Sequence, residues 1–330
     1  MRIAIDAMGG DAAPTAPVEG ARLALMQDPT LEVVVVGPAD ALRALASHPR
    51  LYIEDAPDVI MPDEPPVAAV RRKPRASLVR GTALVKSREV DGLVSAGNTG
   101  AMMAAGLLLL GRLAGVERPA LTAVLPTLDG QGLLLLDVGA NSEARAPQLR
   151  QFAWMGAHYA QQVLGRQAPR VALLNIGEEA NKGPSAVRAA YHELSAQSSL
   201  NFTGNVESRD LLDGVADVVV TDGFVGNVVL KAVEGTALGM MRRIRTALST
   251  SPRARIGGLL ARPALQEVRR AMDYEEVGGV PLLGLDGVVI KAHGASGPRA
   301  FANAIHRAVE QARRQVGALI AESLTASEAP

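Results

Sequence analysis

The stretch Ile3-Ala4-Ile5-Asp6-Ala7-Met8-Gly9-Gly10-Asp11 decides the fold class, because a short apolar run stops abruptly at two glycines set between carboxylates. Glycine pairs let the backbone take positive φ or approach a ligand closely. In an open α/β sheet, ligands bind at the carboxyl ends of the strands. The stretch therefore predicts a first strand, followed either by a binding turn or by an ordinary strand-to-helix turn.

Similar short runs recur along the chain, and most are apolar on both faces, Glu32-Val33-Val34-Val35-Val36 being the clearest. Strands of that kind are covered by helices on both sides, and helical stretches fall between these runs. The sequence therefore predicts an α/β protein, a three-layer α/β/α sandwich formed as one unit by residues 1–330. The ten predicted strands cover residues 2–6, 32–37, 50–54, 92–95, 121–125, 132–137, 171–175, 200–203, 217–221 and 288–292.

The composition excludes several classes of function. Aromatic residues make up only 3% of the chain, which argues against a single-stranded nucleic-acid partner. Lysine plus arginine and aspartate plus glutamate both number 34, so an anionic partner must meet a local patch. Cysteine is absent, which removes disulfides, thiolate metal sites and a cysteine acyl-enzyme. No metal-ligand spacing is recognisable, and neither a metal nor a cofactor is expected.

Two apolar segments are tested against membrane signals. Asp6 and Asp11 interrupt the amino-terminal apolar run, so no signal peptide is expected and the protein is predicted to be cytoplasmic. Residues 92–111 carry no charge, which meets the crude length criterion for a membrane span. Asn98, Thr99 and several glycines divide this segment, and it is predicted to be a strand, a polar turn and a helix instead.

Polar residues fall at or just beyond the carboxyl ends of the predicted strands. Singly, such residues commonly cap helices or close turns. As a set, they predict one cleft at which the strand ends converge. The residues are Asp6, Asn98, Asp137, Asn141, Asn175, Glu178, Asn205, Asp222 and His293.

A series of motifs continues from the first stretch in one order across about 290 residues. They are Ser95-Ala96-Gly97-Asn98-Thr99-Gly100-Ala101, Leu136-Asp137-Val138-Gly139-Ala140-Asn141, Asn175-Ile176-Gly177-Glu178-Glu179, Lys182-Gly183, Gly204-Asn205-Val206-Glu207, Thr221-Asp222-Gly223-Phe224-Val225-Gly226-Asn227, Lys231, Gly278-Gly279-Val280-Pro281-Leu282-Leu283-Gly284 and His293-Gly294-Ala295-Ser296. In these motifs the chain closely resembles the PlsX family, the phosphate acyltransferases of bacterial phospholipid synthesis.

The resemblance implies a specific reaction and set of partners. The reaction is transfer of a long-chain acyl group from acyl-acyl carrier protein to inorganic phosphate, which gives the acyl phosphate used by a downstream acylphosphate glycerol-3-phosphate acyltransferase. It also implies a fold similar to that of isocitrate and isopropylmalate dehydrogenases, a homodimer and peripheral association with an anionic membrane. One departure is visible: Ala76 stands where the family usually has the first of two serines, so only Ser77 carries over.

Because phosphate is itself the nucleophile in this reaction, the site needs positioning and electrostatics rather than an enzymic nucleophile. Asn227 and Lys231 lie at i and i+4 on one face of a predicted helix. His293 is a candidate proton donor to the leaving thiol. The predicted catalytic residues are Lys182, Asn227, Lys231, Asp222 and His293. The predicted substrate and phosphate-binding residues are Asp6, Gly9, Gly10, Asp11, Lys73, Ser77, Asn98, Thr99, Gly100, Asp137, Gly139, Asn141, Gly223 and Gly226.

Residues 237–273 are predicted to form a protruding amphipathic helical hairpin. Apolar residues recur there at spacings of three or four, and between Leu238 and Met272 eight arginines stand against the single acid Glu267. Three interpretations compete: a dimer interface, an interfacial helix on anionic lipid, and a docking patch for acyl carrier protein. A dimer-associated, lipid-contacting hairpin is favoured, with Pro263 breaking the second helix or starting its final segment. The predicted contact residues are Arg242, Arg243, Arg245, Arg255, Arg262, Arg269 and Arg270.

Alternatives from other classes are considered beside this prediction. A nicotinamide-dependent dehydrogenase would share the fold, but no Gly-x-Gly-x-x-Gly follows any predicted strand. A short-chain phosphate acyltransferase that uses coenzyme A would share the reaction and differ in its donor. A catalytically silent membrane scaffold would retain the arginines without needing the polar residues clustered at the strand ends.

Overall fold

The computed structural model describes residues 1–271 and 278–327, and the side chains within them except those of residues 269–271 and 326–327. The predicted contacts of Arg269 and Arg270 and the last two residues of the predicted hairpin therefore lie outside the described part. The strands are β1 (Arg2–Asp6), β2 (Glu32–Gly37), β3 (Leu51–Asp55), β4 (Gly92–Ser95), β5 (Ala120–Leu125), β6 (Leu133–Leu136), β7 (Val171–Asn175), β8 (Phe202–Glu207), β9 (Val218–Val220), β10 (Val280–Leu283) and β11 (Val288–Lys291).

Helices connect most of these strands. They are α1 (Thr15–Gln27), α2 (Ala39–Leu42), α3 (Pro66–Arg72), α4 (Ser77–Lys86), α5 (Thr99–Ala105), α6 (Ala146–Gln162), α7 (Ser185–Ser195), α8 (Gly223–Ala247), α9 (Pro252–Ala271), α10 (Pro298–Arg313) and α11 (Val316–Ser327). A π-helical turn, Gly106–Leu110, extends α5, and a 3₁₀ helix, Ser208–Asp213, follows β8.

The described strands form one mixed sheet of eleven strands in the order β3-β2-β1-β4-β11-β10-β5-β6-β9-β7-β8. The strands from β3 to β11 are parallel, and those from β6 to β8 are parallel among themselves. Between these two sets, β11–β10, β10–β5 and β5–β6 are antiparallel pairs. The carboxyl ends of β1, β4 and β11 therefore lie at one edge of the sheet, called here the first edge, and those of β6, β7, β8 and β9 at the opposite, second edge.

This topology corrects the expectation that all strand ends converge. Asp6 and His293 follow strands that end at the first edge, whereas Asp137, Asn175 and Asp222 follow strands that end at the second. Period-2 apolar patterns indicate which residues form strands but not the direction in which each strand pairs. The direction is set by the three antiparallel pairs in the middle of the sheet.

Helices cover both faces of the sheet, as the burial of alternate residues shows. Val34 and Val36 of β2 belong to one buried cluster, and Val33 and Val35 belong to another on the opposite face. α3, α4 and α5 contribute to the first cluster, while α1 and α10 form the second with their strands. On the opposite face near the other end of the sheet, α6, α7 and α11 form a third cluster. Valine-rich strands therefore bury both faces, as parallel strands between helices do.

Strand β10 is missing from the predicted set. Its four residues Val280–Leu283 contain a proline and lie between glycine turns, so the segment has the composition of a loop. The structure places it in the middle of the sheet, antiparallel to both β11 and β5. The other ten predicted strands are present, with ends that differ by up to four residues; the largest difference is at β8, where the predicted strand stops at residue 203 and the observed one reaches Glu207.

The charge-free segment 92–111 is β4, a turn, α5 and the π-helical turn, which agrees with its predicted division. One described helix, Gly223–Ala247, is long and apolar enough to cross a membrane by length and composition alone. Its first turn is held against the sheet, since Gly223 and Gly226 are buried there. Pro263 lies inside α9 without ending it, so the prediction of a break at this proline is wrong.

Candidate functional site

A cavity of about 350 Å³ lies between α8 and the middle of the sheet. One wall is apolar and comes from β5 and α8, including Leu121, Val124 and Leu230. The lining also includes Lys231 of α8 and Lys291 at the end of β11, which are close enough for the Lys231 charge to lower the pKa of Lys291. The remaining lining residues are Thr99, Thr122, Val138, Gly139, Asn227, Glu234, Gly278, Gly279, Val280, Ala292, His293, Gly294, Ser296 and Ala300. A cavity lined both by lysines and by apolar residues suits a ligand that joins an anion to a hydrocarbon chain.

Helix α8 reaches this cavity because its first turn is fixed at the second edge. The Asp222 carboxylate caps the helix by accepting the Val225 backbone N–H at 2.8 Å. Gly226 lies so close to Asp137 that a Cβ atom would overlap the Asp137 carbonyl oxygen. From there, Asn227 and Lys231 project toward the cavity one turn apart, as their i, i+4 spacing predicts. Asp222 and Gly226 therefore position the helix.

Lys291 is the group in the cavity with the most perturbed acidity. It is half-buried, and its Nζ donates a hydrogen bond to the carbonyl oxygen of Ala292. Burial lowers the pKa of Lys291 to about 8, and the positive charge of Lys231 acts in the same direction. The carboxylates of Asp11 and Asp6 oppose this lowering of the pKa. Lys291 is therefore an ammonium that can lose its proton near neutral pH.

Lys231 and His293 complete the polar lining of the cavity. Lys231 is exposed and forms an ion pair with Glu234 at 2.7 Å. Nδ1 of His293 accepts the Ala295 backbone N–H at 3.2 Å. Burial lowers the pKa of His293, followed in size by the effect of the Lys231 charge. The neutral imidazole is favoured there, and a neutral imidazole is a poor source of a positive charge for an anion.

The glycine turn of the opening stretch supports the loop after β11. Gly10 has a φ of +100°, and the Asp11 N–H donates to the Gly294 carbonyl oxygen at 2.8 Å. A Cβ atom at Gly9 would lie 2.7 Å from the backbone nitrogen of Gly97. These glycines therefore allow three loops at the first edge to pack on one another, as close backbone approach requires.

The Asp6 carboxylate holds the same loops together. It accepts the Ser95 hydroxyl at 2.7 Å and the Met8 N–H at 3.1 Å, and a hydrogen bond from Ser77 lowers its pKa. Burial is the larger effect and raises the pKa of Asp6. Asp6 and Ser77 are both buried and outside the cavity lining, so the structure gives them a supporting position.

Four other predicted binding residues occupy the first edge. Asn98 caps α5, because its Oδ1 accepts the Ala101 N–H at 3.0 Å. Thr99 lines the cavity. Gly100 faces Pro66, and Lys73 forms an ion pair with Glu64 at 2.6 Å. Of these four, the structure brings only Thr99 to the cavity.

At the second edge, Asp137 is the centre of a dense set of donors. It is fully buried, and its carboxylate accepts the backbone N–H groups of Leu121, Gly139, Ala140 and Asn141 and the Asn141 side-chain amide at 2.7 to 3.1 Å. Burial raises the pKa of Asp137, while these donors lower it. The carboxylate therefore shapes the turn that presents Gly139 to the cavity.

Gly223, Asn141 and Lys182 also lie at the second edge. The Gly223 N–H donates to the Asn141 carbonyl oxygen at 2.7 Å, which ties α8 to the same turn. Lys182 is exposed in the loop after β7 and does not line the cavity. The predicted catalytic set is thus divided: Asn227, Lys231 and His293 meet at the cavity, and Asp222 and Lys182 lie outside its lining.

Lys291 is not among the site residues predicted from the sequence. Its position in the sequence could have indicated it. Lys291 directly follows the apolar run Val288-Val289-Ile290, near the carboxyl end of a predicted strand and two residues before His293. Glu234, Thr122 and Ser296 also line the cavity and were not predicted. Within residues 1–271 and 278–327, no group of three or more histidine, cysteine or acidic residues is placed to hold a metal ion.

Known proteins that are similar to this chain over nearly its whole length show its family. The chain matches the family model described as fatty acid synthesis protein over residues 1–319. It is 47% identical over 325 residues to the phosphate acyltransferase of Bacillus licheniformis, with 98% of each chain covered. It is also 47% identical over 327 residues to the phosphate acyltransferase of Brevibacillus brevis, covering 98% of this chain and 97% of that relative.

Solved structures of lower identity share the fold. A phosphotransacetylase from Streptococcus pyogenes has a TM-score of 0.62 at 19% identity, covering 95% of this chain and 94% of that chain. The EutD phosphotransacetylase from Staphylococcus aureus has a TM-score of 0.60 at 17% identity, covering 94% of each chain. At these identities the likeness shows the fold alone. The family model and the curated relatives span nearly the whole sequence, and the chain therefore belongs to the PlsX family of phosphate acyltransferases.

Proposed function

We propose that this protein transfers a long-chain acyl group from the thioester of acyl carrier protein to inorganic phosphate. The carbonyl carbon forms a bond to a phosphate oxygen and loses its bond to sulfur, so the products are an acyl phosphate and the carrier-protein thiol. The acyl phosphate is the substrate for an acylphosphate glycerol-3-phosphate acyltransferase in phospholipid synthesis. The observation that carries this assignment is the cavity, which is lined both by two lysines and by the apolar residues Leu121, Val124 and Leu230.

The polar and apolar residues that line the cavity have different roles in this proposal. The Lys231 ammonium attracts the phosphate anion in a partly enclosed site, and Lys291, whose lowered pKa allows it to lose its proton near neutral pH, lines the same cavity and can hydrogen-bond to the phosphate. The apolar wall of Leu121, Val124 and Leu230 lies against the first carbons of the acyl chain. Asn227 is placed to donate to the developing oxyanion, because its side chain lies beside Gly139 at the cavity wall.

Thiol release tests the assignment. Purified protein is incubated with palmitoyl-acyl carrier protein, with and without inorganic phosphate, and free thiol is measured. Phosphate-dependent release is expected, and Lys231→Ala is expected to raise the KM for phosphate by about tenfold or more because it removes the ammonium group that attracts the anion. Lys182→Ala is the matched control, since this lysine lies outside the cavity. A folded wild-type protein that releases no thiol under any condition would refute the assignment.

The same assay separates the remaining alternatives. A short-chain enzyme of this fold would prefer acetyl-coenzyme A to palmitoyl-acyl carrier protein, and a scaffold would turn over neither. Binding of a nicotinamide cofactor would support the dehydrogenase alternative. The proposed fold class, a three-layer sandwich of the isocitrate and isopropylmalate dehydrogenase-like type, is supported by helices on both faces of the sheet and does not itself decide the reaction.

We propose that residues 1–330 act as one catalytic unit, in which residues 237–273 form a hairpin that contacts a second copy and an anionic membrane. α8 and α9 expose large apolar side chains, among them Leu238, Met240 and Leu260, the last with 80% of its surface accessible. A groove of about 520 Å³ between the two helices is lined by Leu248 and Leu259 and by Arg245, Arg255 and Arg262. Apolar side chains beside arginines favour an interfacial location on anionic lipid.

Vesicle flotation tests the membrane contact. The protein is expected to float with vesicles that contain phosphatidylglycerol and to remain in solution with phosphatidylcholine alone. Changing Arg242, Arg243 and Arg245 together to glutamine is expected to weaken flotation, since each basic residue near an anionic surface contributes about 1 kcal/mol. Acyl carrier protein is added as a competitor of the vesicles. If it competes, and if the variant binds neither the vesicles nor the carrier protein, the arginines also dock the carrier protein. Equal flotation with both lipids would refute the electrostatic part of the proposal. Under this proposal, the protein is cytoplasmic and peripherally associated with the membrane.

A further inference from the structure

We propose that Lys291 is a further catalytic residue, which carries the proton from the phosphate nucleophile to the leaving sulfur. This inference rests on the acyl transfer proposed above and assigns one step within it. Hydrogen phosphate has a proton that the acyl phosphate dianion lacks, and the carrier-protein thiol has a proton that its thiolate lacks. One proton must therefore pass from the phosphate to the sulfur for each C–O bond formed and each C–S bond broken.

The position of Lys291 suits both uptake of the proton from the phosphate and its donation to the leaving sulfur. It lines the cavity together with Lys231, which attracts the phosphate, and its side chain is half-buried. Strand β11 fixes the backbone of Lys291, because this residue pairs in register with Val280 of β10 and Ser95 of β4. A lysine on a central strand is better fixed in place than one on a loop. Lys231, by contrast, is exposed and paired with Glu234.

The surroundings favour a lysine that can exist in both protonation states. The charged groups that act on Lys291 are Lys231 from α8 and the carboxylates of Asp11 and Asp6 from the end of β1 and its loop. His293, two residues away, shares the influence of Lys231 and also that of Glu234. Burial and Lys231 together bring the pKa of Lys291 to about 8, close to the ordinary value of a thiol. Matched acidities allow efficient proton transfer in both directions.

The alternative carrier in the cavity is His293. Its ring is exposed, and its Nδ1 already accepts a backbone N–H within its own loop. Its pKa is lowered by burial and by Lys231, so the protonated form that would donate to sulfur is disfavoured at neutral pH. Burial and Lys231 lower the pKa of Lys291 as well, but it remains at about 8, so the protonated form that donates to sulfur is still available at neutral pH.

The test compares Lys291→Arg, Lys291→Met and the wild type by kcat at saturating phosphate from pH 6 to pH 9.5. In the wild type, kcat is expected to rise with pH and level off near pH 8, where the neutral amine is available. Arginine keeps the positive charge but cannot lose its proton. Both variants are therefore expected to lose about 10²-fold or more in kcat and to lose the rise with pH. Thermal unfolding of each variant verifies that it is folded.

Two further measurements distinguish proton transfer from a structural or purely electrostatic role. A palmitoyl aryl thioester has a leaving thiolate that needs no proton, so the loss caused by Lys291→Arg is expected to shrink by about tenfold with this donor. Lys231→Met is expected to move the rise in kcat to higher pH, and Asp11→Asn to lower pH, because these residues act on the pKa of Lys291 in opposite directions.

The outcomes separate this inference from the reaction itself. If the wild type shows no phosphate-dependent thiol release, the proposed function fails. If the wild type is active but Lys291→Arg keeps both the rise with pH and a kcat within about threefold of the wild type, the proton-carrier role is overturned while the proposed function stands. Loss of activity in Lys291→Arg that is the same for the aryl and carrier-protein donors would likewise overturn it.

Discussion

At the scale of single residues, the site separates groups that face the cavity from groups that hold the backbone. Asp6 and Asp137 are both buried carboxylates at strand ends, and both accept several hydrogen bonds from their own loops. Lys291 has no comparable set of partners among its described contacts, and burial lowers its pKa. A group that is kept in an unfavourable environment is more typical of a functional role than of a structural one.

Replacement of Lys291 by methionine is expected to stabilise the fold at neutral pH. The folded-state pKa of about 8 is below the ordinary 10.5, so the unfolded chain binds more protons between these pH values. The free energy of unfolding of the wild type should therefore rise with pH across that window. Lys291→Met removes this dependence and should add on the order of 2–3 kcal/mol at pH 7. Urea unfolding at pH 7 and pH 10 measures both effects, and an unchanged pH dependence would contradict the expectation.

Asp137→Asn is expected to destabilise the protein. The amide retains one oxygen but places an NH₂ group against backbone donors that the carboxylate now accepts. Loss of these hydrogen bonds should lower the free energy of unfolding by roughly 2–4 kcal/mol. Asp222→Ala, which removes only a helix cap, serves as the comparison and should lose about 1 kcal/mol. Chemical denaturation of the two variants ranks them, and an equal loss in both would count against the central role of Asp137.

At the scale of elements, α8 connects the two edges of the sheet. Its first turn is anchored beside Asp137 at the second edge, and Lys231 lies eight residues later, a rise of about 12 Å along the helix. Helix α8 thus begins at the second edge and carries Lys231 to the cavity. There Lys231 lies beside His293, which follows β11, a strand that ends at the first edge. The spacing of Gly226, Asn227 and Lys231 along the helix therefore allows residues from both edges of the sheet to line one cavity.

Glycine substitutions along α8 should have opposite effects. Gly226→Ala forces a Cβ atom onto the Asp137 carbonyl oxygen, so it is expected to displace the helix, lower the free energy of unfolding by several kcal/mol and abolish activity. Gly239→Ala on the same helix meets nothing within 4 Å and should stabilise the protein by up to about 1 kcal/mol through helix propensity. Thermal unfolding and thiol release measure both variants. A tolerated Gly226→Ala would show that α8 is not anchored by this contact.

At the scale of the whole molecule, the exposed apolar surface is concentrated on α8 and α9. Phe224, Val228, Leu238, Met240, Ile256 and Leu260 each expose more than half of their surface. An exposed apolar patch of this kind commonly marks an interface. The proposed second copy and the proposed membrane would both cover the same pair of helices, so their contributions must be separated by mutation.

Charge placed on these helices should disrupt self-association. If these helices form the proposed dimer interface, Leu238→Asp and Leu260→Asp are each expected to shift the proposed dimer toward monomer in sedimentation velocity, because an unpaired carboxylate would be buried at the interface. Ile176→Asp is the matched control, since Ile176 has 79% of its surface exposed in the loop after β7, outside these helices. Retention of the dimer in both α8 and α9 variants would place the subunit interface elsewhere.

Ten of the eleven strands in the described residues were predicted from the sequence, because each of the ten is a short apolar run bounded by turn residues. Asn227, Lys231 and His293 were also identified, since helical spacing and family motifs mark them. Strand β10 escaped prediction because a proline among glycines does not resemble a strand. Lys291 escaped it because a lysine at the end of an apolar run looks like an ordinary strand boundary.

The sequence by itself determined which segments form strands and helices and which family the motifs resemble, because these follow from local composition and periodicity. Only the tertiary structure decided the direction of each strand, and with it which polar residues share a cavity. Strand direction depends on pairing between residues far apart in the chain, such as Leu282 with Leu121. The acidity of Lys291 depends likewise on burial by elements that are distant in sequence, so it could not be read from the residues beside it.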